Sequence, residues 1–310
     1  MPTSVAEQSV LKMSAPDLRS DLDLTVEELS RLLQLADSVK QFPARYATAL
    51  QGRSMSLLFE KPSLRTRLTF ELAIQQLGGY AVTSIGMIGD REPLKDVARN
   101  LDRWTQAIVA RVFSQETIEG LAEWSRVPVI NALSDLYHPC QALADVQTMI
   151  ERFGTLADRK LAYIGDGNNM AHSLMLTAGR LGVQVAVAAP EGYQPDTAIV
   201  AVARAAGVKV DITADPAEAA AGADVIYTDV WASMGQEAEA EERKRIFAPY
   251  QVDDALMSRA SREAIFLHCL PAKRGQEVTD SVMESAQSAI FDQAENRLHA
   301  QKALLLMLVQ

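Results

Sequence analysis

Phe59-Glu60-Lys61-Pro62-Ser63-Leu64-Arg65-Thr66-Arg67 is the stretch that decides the fold. The apolar run Met55 to Phe59 reads as a short buried strand. Pro62 interrupts it and a helical pattern begins at once: Leu64, Leu68 and Leu72 fall four apart, with Gly78-Gly79 as the stop. The spacing predicts a strand that feeds a helix whose first turn holds Ser63, Leu64, Arg65 and Thr66. A first turn carries unpaired backbone N–H groups and the positive end of the helix dipole. Two hydroxyls and a guanidinium join them here, which suits a small tetrahedral anion such as phosphate. The plainer alternative is an ordinary Ser N-cap beside a solvated Arg.

Outward from that stretch, strand-like and helical runs alternate. Residues 25–40 read as a capped amphipathic helix, with Thr25 ahead of Glu27-Glu28 and the leucines at 29, 32, 33 and 35. One set of strands is Ser54–Phe59, Tyr80–Ile85, Ala107–Phe113 and Val127–Leu133. A second is Lys160–Gly165, Gln184–Ala189, Val208–Ile212, Asp224–Asp229, Ala264–Leu270 and Ala289–Phe291. Helical stretches such as Asp96–Thr105, Ala142–Phe153 and Met170–Leu181 lie between them. This alternation predicts an α/β fold of two parallel sheets, each flanked by helices. A chain of 310 residues has room for two such domains, joined near 140–150. The apolar helix Asn296–Val309 closes the chain.

The net charge of −10 argues against nucleic acid or an anionic membrane as partner, so an anionic substrate needs a local positive site. The two cysteines, Cys140 and Cys269, form no disulfide framework or zinc pattern, and a reducing cytoplasm is the expected compartment. The first twenty residues show no apolar signal core and no Arg-rich amphipathic pattern. The longest apolar runs are too short to span a membrane.

In open parallel sheets ligands bind beyond the carboxyl ends of the strands. The unusual polar residues fall there. Arg111 ends an apolar strand, where a charge is costly unless paired, so it reads either as a donor to a buried anion or carbonyl or as half of a structural ion pair. His138-Pro139-Cys140-Gln141 opens a helix; the imidazole can donate to a carbonyl and the glutamine can accept from an amide. Alternatively His138 is a packed or capping residue, and Cys140 is a small filler. Gly165-Asp166-Gly167-Asn168-Asn169-Met170 is a poor dinucleotide fingerprint, because Met170 stands where Gly or Ala is wanted. Its paired asparagines suit a zwitterion, or simply a turn. Asp229 precedes the segment Ser233-Met234-Gly235, which reads as a loop, and could hold an ammonium group. The charged tract Gln236–Arg245 reads as a solvated helix. His268-Cys269-Leu270-Pro271 closes a strand, and Glu295-Asn296-Arg297 precedes the last helix.

Together, Ser63-Leu64-Arg65-Thr66, His138-Pro139-Cys140-Gln141, Asp229 with Ser233-Met234-Gly235, His268-Cys269-Leu270-Pro271 and Glu295-Asn296-Arg297 resemble, in order, the motifs of ornithine carbamoyltransferases. The resemblance runs from about residue 20 to the C-terminus and implies transfer of a carbamoyl group from carbamoyl phosphate to L-ornithine, giving L-citrulline and phosphate. It implies a carbamoyl-phosphate domain over 1–145, an ornithine domain over 146–295, and a last helix, 296–310, returning to the first domain. It also implies homotrimers with sites near subunit interfaces, and no metal or organic cofactor. By the same resemblance Ser63, the Leu64 backbone, Arg65 and Thr66 hold the phosphate. Thr66, Arg111 and His138 polarise the carbamoyl oxygen, and Gln141 orients the carbamoyl amide. Arg297 and the backbone at Cys269-Leu270 complete that subsite. Asn169, Asp229, Ser233 and Met234 contact ornithine, with Asp229 and Cys269 placed to orient its δ-amine and help it lose a proton. Two positions depart from the pattern. Leu64 stands where Thr is common. Met87 stands where many members carry a glutamine that reaches a neighbouring subunit's phosphate, and Arg91 is a candidate substitute.

Overall fold

The computed structural model describes residues 12–232 and 239–309. Ser233, Met234 and Gly235 lie outside the described residues. Among the described residues the strands form two parallel sheets. The first holds β1 (Ser54–Phe59), β2 (Tyr80–Ile85), β3 (Ile108–Arg111) and β4 (Val129–Leu133) in the order β2-β1-β3-β4. The second holds β5 (Lys160–Ile164), β6 (Gln184–Ala188), β7 (Val210–Thr213), β8 (Val225–Thr228) and β9 (Ile265–His268) in the order β7-β6-β5-β8-β9. Every pairing between these strands is parallel. Helices cover them, which is why β1, β5 and β8 are buried apolar runs rather than alternating ones.

Both sheets reverse direction at a defined place. The chain runs from β1 outward to β2 and returns to lay β3 on β1's other side, so the first switch point lies between β1 and β3. The second lies between β5 and β8 for the same reason. Crevices open beyond the carboxyl ends of strands at such points. Register then decides what lines them: Phe59 pairs with Arg111, and Ile164 pairs with Thr228, which in turn pairs with His268.

Helix α1 (Val26–Gln41) begins with a full capping box between Thr25 and Glu28. Helix α2 (Arg65–Gln76) follows β1, α3 (Leu94–Trp104) follows β2 and α4 (Gln115–Trp124) follows β3. Helix α5 (Pro139–Phe153) leads from the first sheet to the second and buries every residue from Pro139 to Met149. Helix α6 (Asn169–Thr177) follows β5. The C-terminal helix Ile290–Val309 packs on α5, α1 and α2, so the end of the chain returns to the first sheet.

Three expectations need correction. The last helix starts at Ile290 rather than Asn296, so Glu295-Asn296-Arg297 lies within it and not ahead of it. Ala289–Phe291 is not a strand. Ser288 makes a single bridge to Phe266, the Ala289 N–H donates to the Phe266 carbonyl, and the last helix starts at Ile290. Three apolar residues carry no period, so a strand and a helix start look alike there. The first turn of α2 also starts later than expected. Leu64 is its N-cap residue, in helical conformation, and Ser63 precedes it without capping.

Of the charged tract Gln236–Arg245, residues 236–238 lie outside the described residues; Ala240–Phe247 is a helix, in which Arg243 and Phe247 are buried. The Arg243 guanidinium donates to Asp166 Oδ2 at 2.8 Å and to the Trp231 carbonyl at 3.0 Å.

Candidate active site

The end of β1 brings Thr66 to the first switch point, and the end of β3 brings Arg111 beside it. Arg111 Nη1 donates to Thr66 Oγ1 at 3.3 Å. From the C-terminal helix, Arg297 Nη2 donates to the same oxygen at 2.5 Å. Arg65 sits one residue before Thr66 and weighs electrostatically on both other arginines. Among the described residues none of these three guanidiniums forms a salt bridge, and Nε of Arg111 and of Arg297 is buried without a hydrogen-bond partner. The structural ion pair that would have explained Arg111 is therefore not there. Burial first, and Arg297 second, push Arg111 down to about 10. Desolvation lowers Arg65 and Arg297 as well. Crowded, partly dehydrated cations of this kind are stabilised by an anion placed among them.

Glu60 shapes the rim. Its carboxylate accepts from the Ile88 N–H at 3.0 Å and the Phe113 N–H at 2.8 Å, tying together the loops after β2 and β3. Ser63 is partly exposed ahead of α2, and the exposed Leu64 offers backbone there.

His138 is the N-cap residue of α5, followed by Pro139 at the first helical position. Its backbone N–H donates to Ser173 Oγ at 2.8 Å, and its Nδ1 is buried without a partner. Desolvation, then Arg297 and Arg111, hold its pKa well below the usual imidazole range. It is a neutral ring, able to donate to a carbonyl oxygen. One turn along α5, Gln141 Nε2 donates to Asp145 Oδ1 at 2.7 Å, while Gln141 Oε1 is buried and unpartnered. Cys140 is buried, its Sγ donating to the Asn131 carbonyl, and burial pushes it up to about 12; it is inert packing.

The second switch point holds Asp229. One carboxylate oxygen, Oδ1, accepts from the Val230 N–H at 2.8 Å and from Cys269 Sγ at 2.9 Å. The other, Oδ2, accepts from Asn168 Nδ2 at 3.1 Å. Asn168, the first of the paired asparagines, thus faces Asp229, whereas Asn169 donates to the Ser134 carbonyl across the two sheets at 2.6 Å. Asn168 is a site residue that sequence reasoning missed. Its signal was present in the pair, but the side chain that also caps α6 looked structural. Behind it, Tyr163 OH donates to Asn168 Oδ1 at 3.0 Å and its ring stacks on Tyr227.

The thiol of Cys269 lies against the Asp229 carboxylate. Desolvation, with Asp229 beside it, raises its pKa well above the usual thiol value. It is an S–H donor to a carboxylate. Asp229, His268 and Cys269 bring donor atoms within 4.8 Å of one another. Both His268 nitrogens are engaged, however: Nδ1 accepts from the Leu270 N–H at 2.8 Å, so Nε2 carries the proton and faces Glu277 at 3.3 Å. Leu270 has φ of 60°, a left-handed conformation that a bulky side chain rarely takes. That turn leads the backbone out of β9 at the site.

The glycine turn after β5 is closed by packing. A Cβ on Gly167 would lie 2.2 Å from the Pro195 nitrogen, and Asp166 is paired with Arg243. It is not a cradle for a pyrophosphate.

Two family models cover almost the whole chain. Residues 17–151 match the aspartate/ornithine carbamoyltransferase carbamoyl-P binding domain, and 157–308 match its Asp/Orn binding domain. An ornithine carbamoyltransferase of Anoxybacillus flavithermus is 50% identical, over 97% of this chain and 99% of its own. The solved ornithine carbamoyltransferase of Pyrococcus furiosus superposes with a TM-score of 0.92 at 47% identity, over 97% of this chain and 99% of that one. An acetylornithine transcarbamylase complexed with acetylcitrulline gives a TM-score of 0.84 at 32% identity, over 94% and 98%. Fold, cationic cradle and these matches define an enzyme of the carbamoyltransferase class. More narrowly, the chain belongs to the aspartate/ornithine carbamoyltransferase family.

Proposed function

We propose that this enzyme transfers the carbamoyl group of carbamoyl phosphate to the δ-amine of L-ornithine, releasing L-citrulline and phosphate. One observation carries the reading: Arg111 and Arg297 both donate to Thr66, Arg65 weighs electrostatically on both, and none of the three has a carboxylate partner among the described residues. In this reading residues 1–145, with the last helix, bind carbamoyl phosphate and 146–295 bind ornithine. Phosphate lies at the start of α2, against Ser63, the Leu64 N–H, Arg65 and Thr66. Arg111, neutral His138 and Thr66 face the carbamoyl oxygen and stabilise the negative charge that grows on it during attack. Arg297 and the Cys269-Leu270 backbone close the subsite. Gln141 Oε1 accepts from the carbamoyl NH2. Asn169, Asp229, Ser233 and Met234 are the proposed ornithine contacts, joined by Asn168 through Asp229. The neutral δ-amine attacks the carbamoyl carbon, the C–O bond to phosphate breaks, and the departing phosphate takes up the proton that the amine loses.

We further propose self-association, in trimers or multiples of them, through one apolar face. The edge strand β2 exposes Tyr80, Val82 and Ile85, with Met87 just beyond; α2 exposes Leu64, Leu68 and Leu72. Contiguous exposed apolar surface on a sheet edge calls for a cover. A second copy there would sit beside Ser63 and Leu64, at the margin of the phosphate subsite. Sedimentation should give a trimer or a multiple of it, whereas a monomer would overturn this part. The free thiols Cys140 and Cys269 fit a cytoplasmic setting. Of the two directions open to such an enzyme, citrulline synthesis for arginine and the reverse in arginine breakdown, the first is supported by a 47% identical relative from Pyrococcus furiosus named as anabolic. The likeness to an acetylornithine transcarbamylase supports a second reading, with an N-acylated acceptor. The deciding experiment measures phosphate release from carbamoyl phosphate with ornithine, N-acetylornithine, putrescine and aspartate side by side. Ornithine should stand alone; release with another acceptor and not with ornithine would replace the proposal.

A further inference from the structure

We propose that Asp145 is a positioning residue: it dictates which end of the Gln141 side-chain amide meets the substrate. The inference rests on the reading above and deepens it. A primary amide has a donor end and an acceptor end of nearly the same shape, so packing alone does not choose between them. The choice must come from a neighbour that can only donate or only accept. An ionised carboxylate only accepts. Burial raises Asp145 to about 7 while donors from Gln141, Gln293 and Tyr227 favour its ionised form, so the acceptor-only state holds above that pH, where the titrations below are run. Asp145 lies one helical turn after Gln141 on α5, fully buried, and takes Gln141 Nε2 on Oδ1 at 2.7 Å. Gln141 Oε1 has no partner among the described residues. No other described residue sets the orientation of this amide, and what it leaves free is an acceptor.

The surroundings of Asp145 make the same point. Gln293 Nε2 donates to Oδ1 at 2.6 Å, and Tyr227 OH donates to Oδ2 at 3.1 Å. All three neighbours present donors, as a carboxylate requires. Gln293 is held at both ends, because its Oε1 also accepts the His268 N–H at 2.9 Å. A backbone N–H can only donate, so Gln293 would keep its orientation without Asp145. Gln141 has no second tether. Loss of the carboxylate's acceptor-only character therefore frees one amide and spares the other. The freed amide could turn its NH2 toward the substrate and meet a carbamoyl NH2 donor to donor. Gln293, from the C-terminal helix, and Tyr227, from β8, make Asp145 a junction between the sheets as well, so a merely structural role has to be separated by the experiment.

Two stable probes differ only at the group in question. Phosphonoacetamide carries the carbamoyl NH2; acetonylphosphonate replaces it with a methyl. Calorimetric titration of the full-length protein should show a preference for the amide of roughly tenfold, the scale of one well-placed hydrogen bond. Asp145→Asn should bring that preference to near unity by weakening phosphonoacetamide while leaving acetonylphosphonate within about twofold. Gln141→Ala, which leaves Asp145 and its two other donors in place, should lose the same preference. The double variant should be no worse than either single one. An Asp145→Asn protein that weakens both probes alike has lost structure rather than orientation, and overturns the proposal. So does a Gln141→Ala protein that keeps the preference, a result independent of whether Asp145→Asn folds. Wild-type protein that binds neither probe overturns the carbamoyl-phosphate reading, and this inference with it.

Discussion

The two halves of the site follow opposite electrostatic plans. Around Thr66 the first sheet and the last helix assemble like charges without a counter-ion among the described residues, and burial makes each harder to keep charged. Around Asp229 the second sheet assembles a single carboxylate whose oxygens already accept from Val230, Cys269 and Asn168. The first half gains from a ligand outright, because an anion relieves repulsion among the arginines. The second half gains less, because three of the carboxylate's roughly four acceptor positions are already taken and an incoming amine finds about one free. That asymmetry separates affinity from alignment: the cradle supplies binding and charge stabilisation, and the corner supplies direction.

The hardest test of this contrast is Arg111→Met. Loss of one charge-assisted contact to a buried anion should cost about 2–5 kcal/mol in kcat/KM, or roughly thirty-fold to several-thousand-fold. The same change removes a cation repelled by its neighbours, so thermal unfolding without ligand should stay level or rise. A variant that melts early, or one that turns over near the normal rate, would make Arg111 a structural residue.

Asp229→Asn probes the other half and should cost less. Hydrogen bonds to charged groups contribute about 1.5–3 kcal/mol, so KM for ornithine should rise by roughly ten- to hundred-fold. Carbamoyl-phosphate affinity should hardly change. Equal weakening of both substrates would mean that the corner is not confined to the acceptor.

Order of binding sharpens the contrast further. If the cradle gains outright and the corner gains little alone, ornithine should bind at least about tenfold tighter once an unreactive carbamoyl-phosphate analogue is in place. Calorimetry with and without the first ligand measures it. Equal affinities in the two titrations would dissolve the asymmetry.

The two halves also differed in how far the sequence exposed them. β1 and β2 carry the bounds read from their apolar runs, since flanking punctuation by Arg53, Pro62 and Gly78-Gly79 is local. The strand expected at Ala289–Phe291 failed because three apolar residues have no period. Arg111 stood out as a charge in an apolar strand, and its lack of a carboxylate partner could only be seen with distant elements folded together. Asn168, Asp145 and Gln293 were harder. Each belongs to a hydrogen-bond chain whose members are separated by up to 148 positions, and none breaks a local pattern. Cys269 was legible as a site residue, but its protonation state was not. A thiol's pKa follows from which charge stands beside it, and Asp229 lies 40 positions away.

The smallest expected effect is the most discriminating for the second half. Ornithine's δ-amine has a pKa of roughly 10 in water, so it is nearly all protonated at neutral pH and lacks a lone pair for attack. Activity should therefore climb from acid into mildly alkaline pH. If Cys269 were the proton acceptor, its ionisation would shape that climb. Burial and the adjacent Asp229 raise the thiol well above its usual value, however, so the S–H form persists across the climb and ionises only beyond it. A group that stays protonated cannot accept the amine's proton, but it can hold Asp229 in place. Serine also donates from a single O–H and can keep that bond. Cys269→Ser should thus lower kcat by less than about fivefold, within the net worth of one hydrogen bond, and leave the shape of the pH–rate profile unmoved. A profile displaced along the pH axis would mean that substrate binding drives the thiol to thiolate. The corner would then take part in proton transfer as well as alignment.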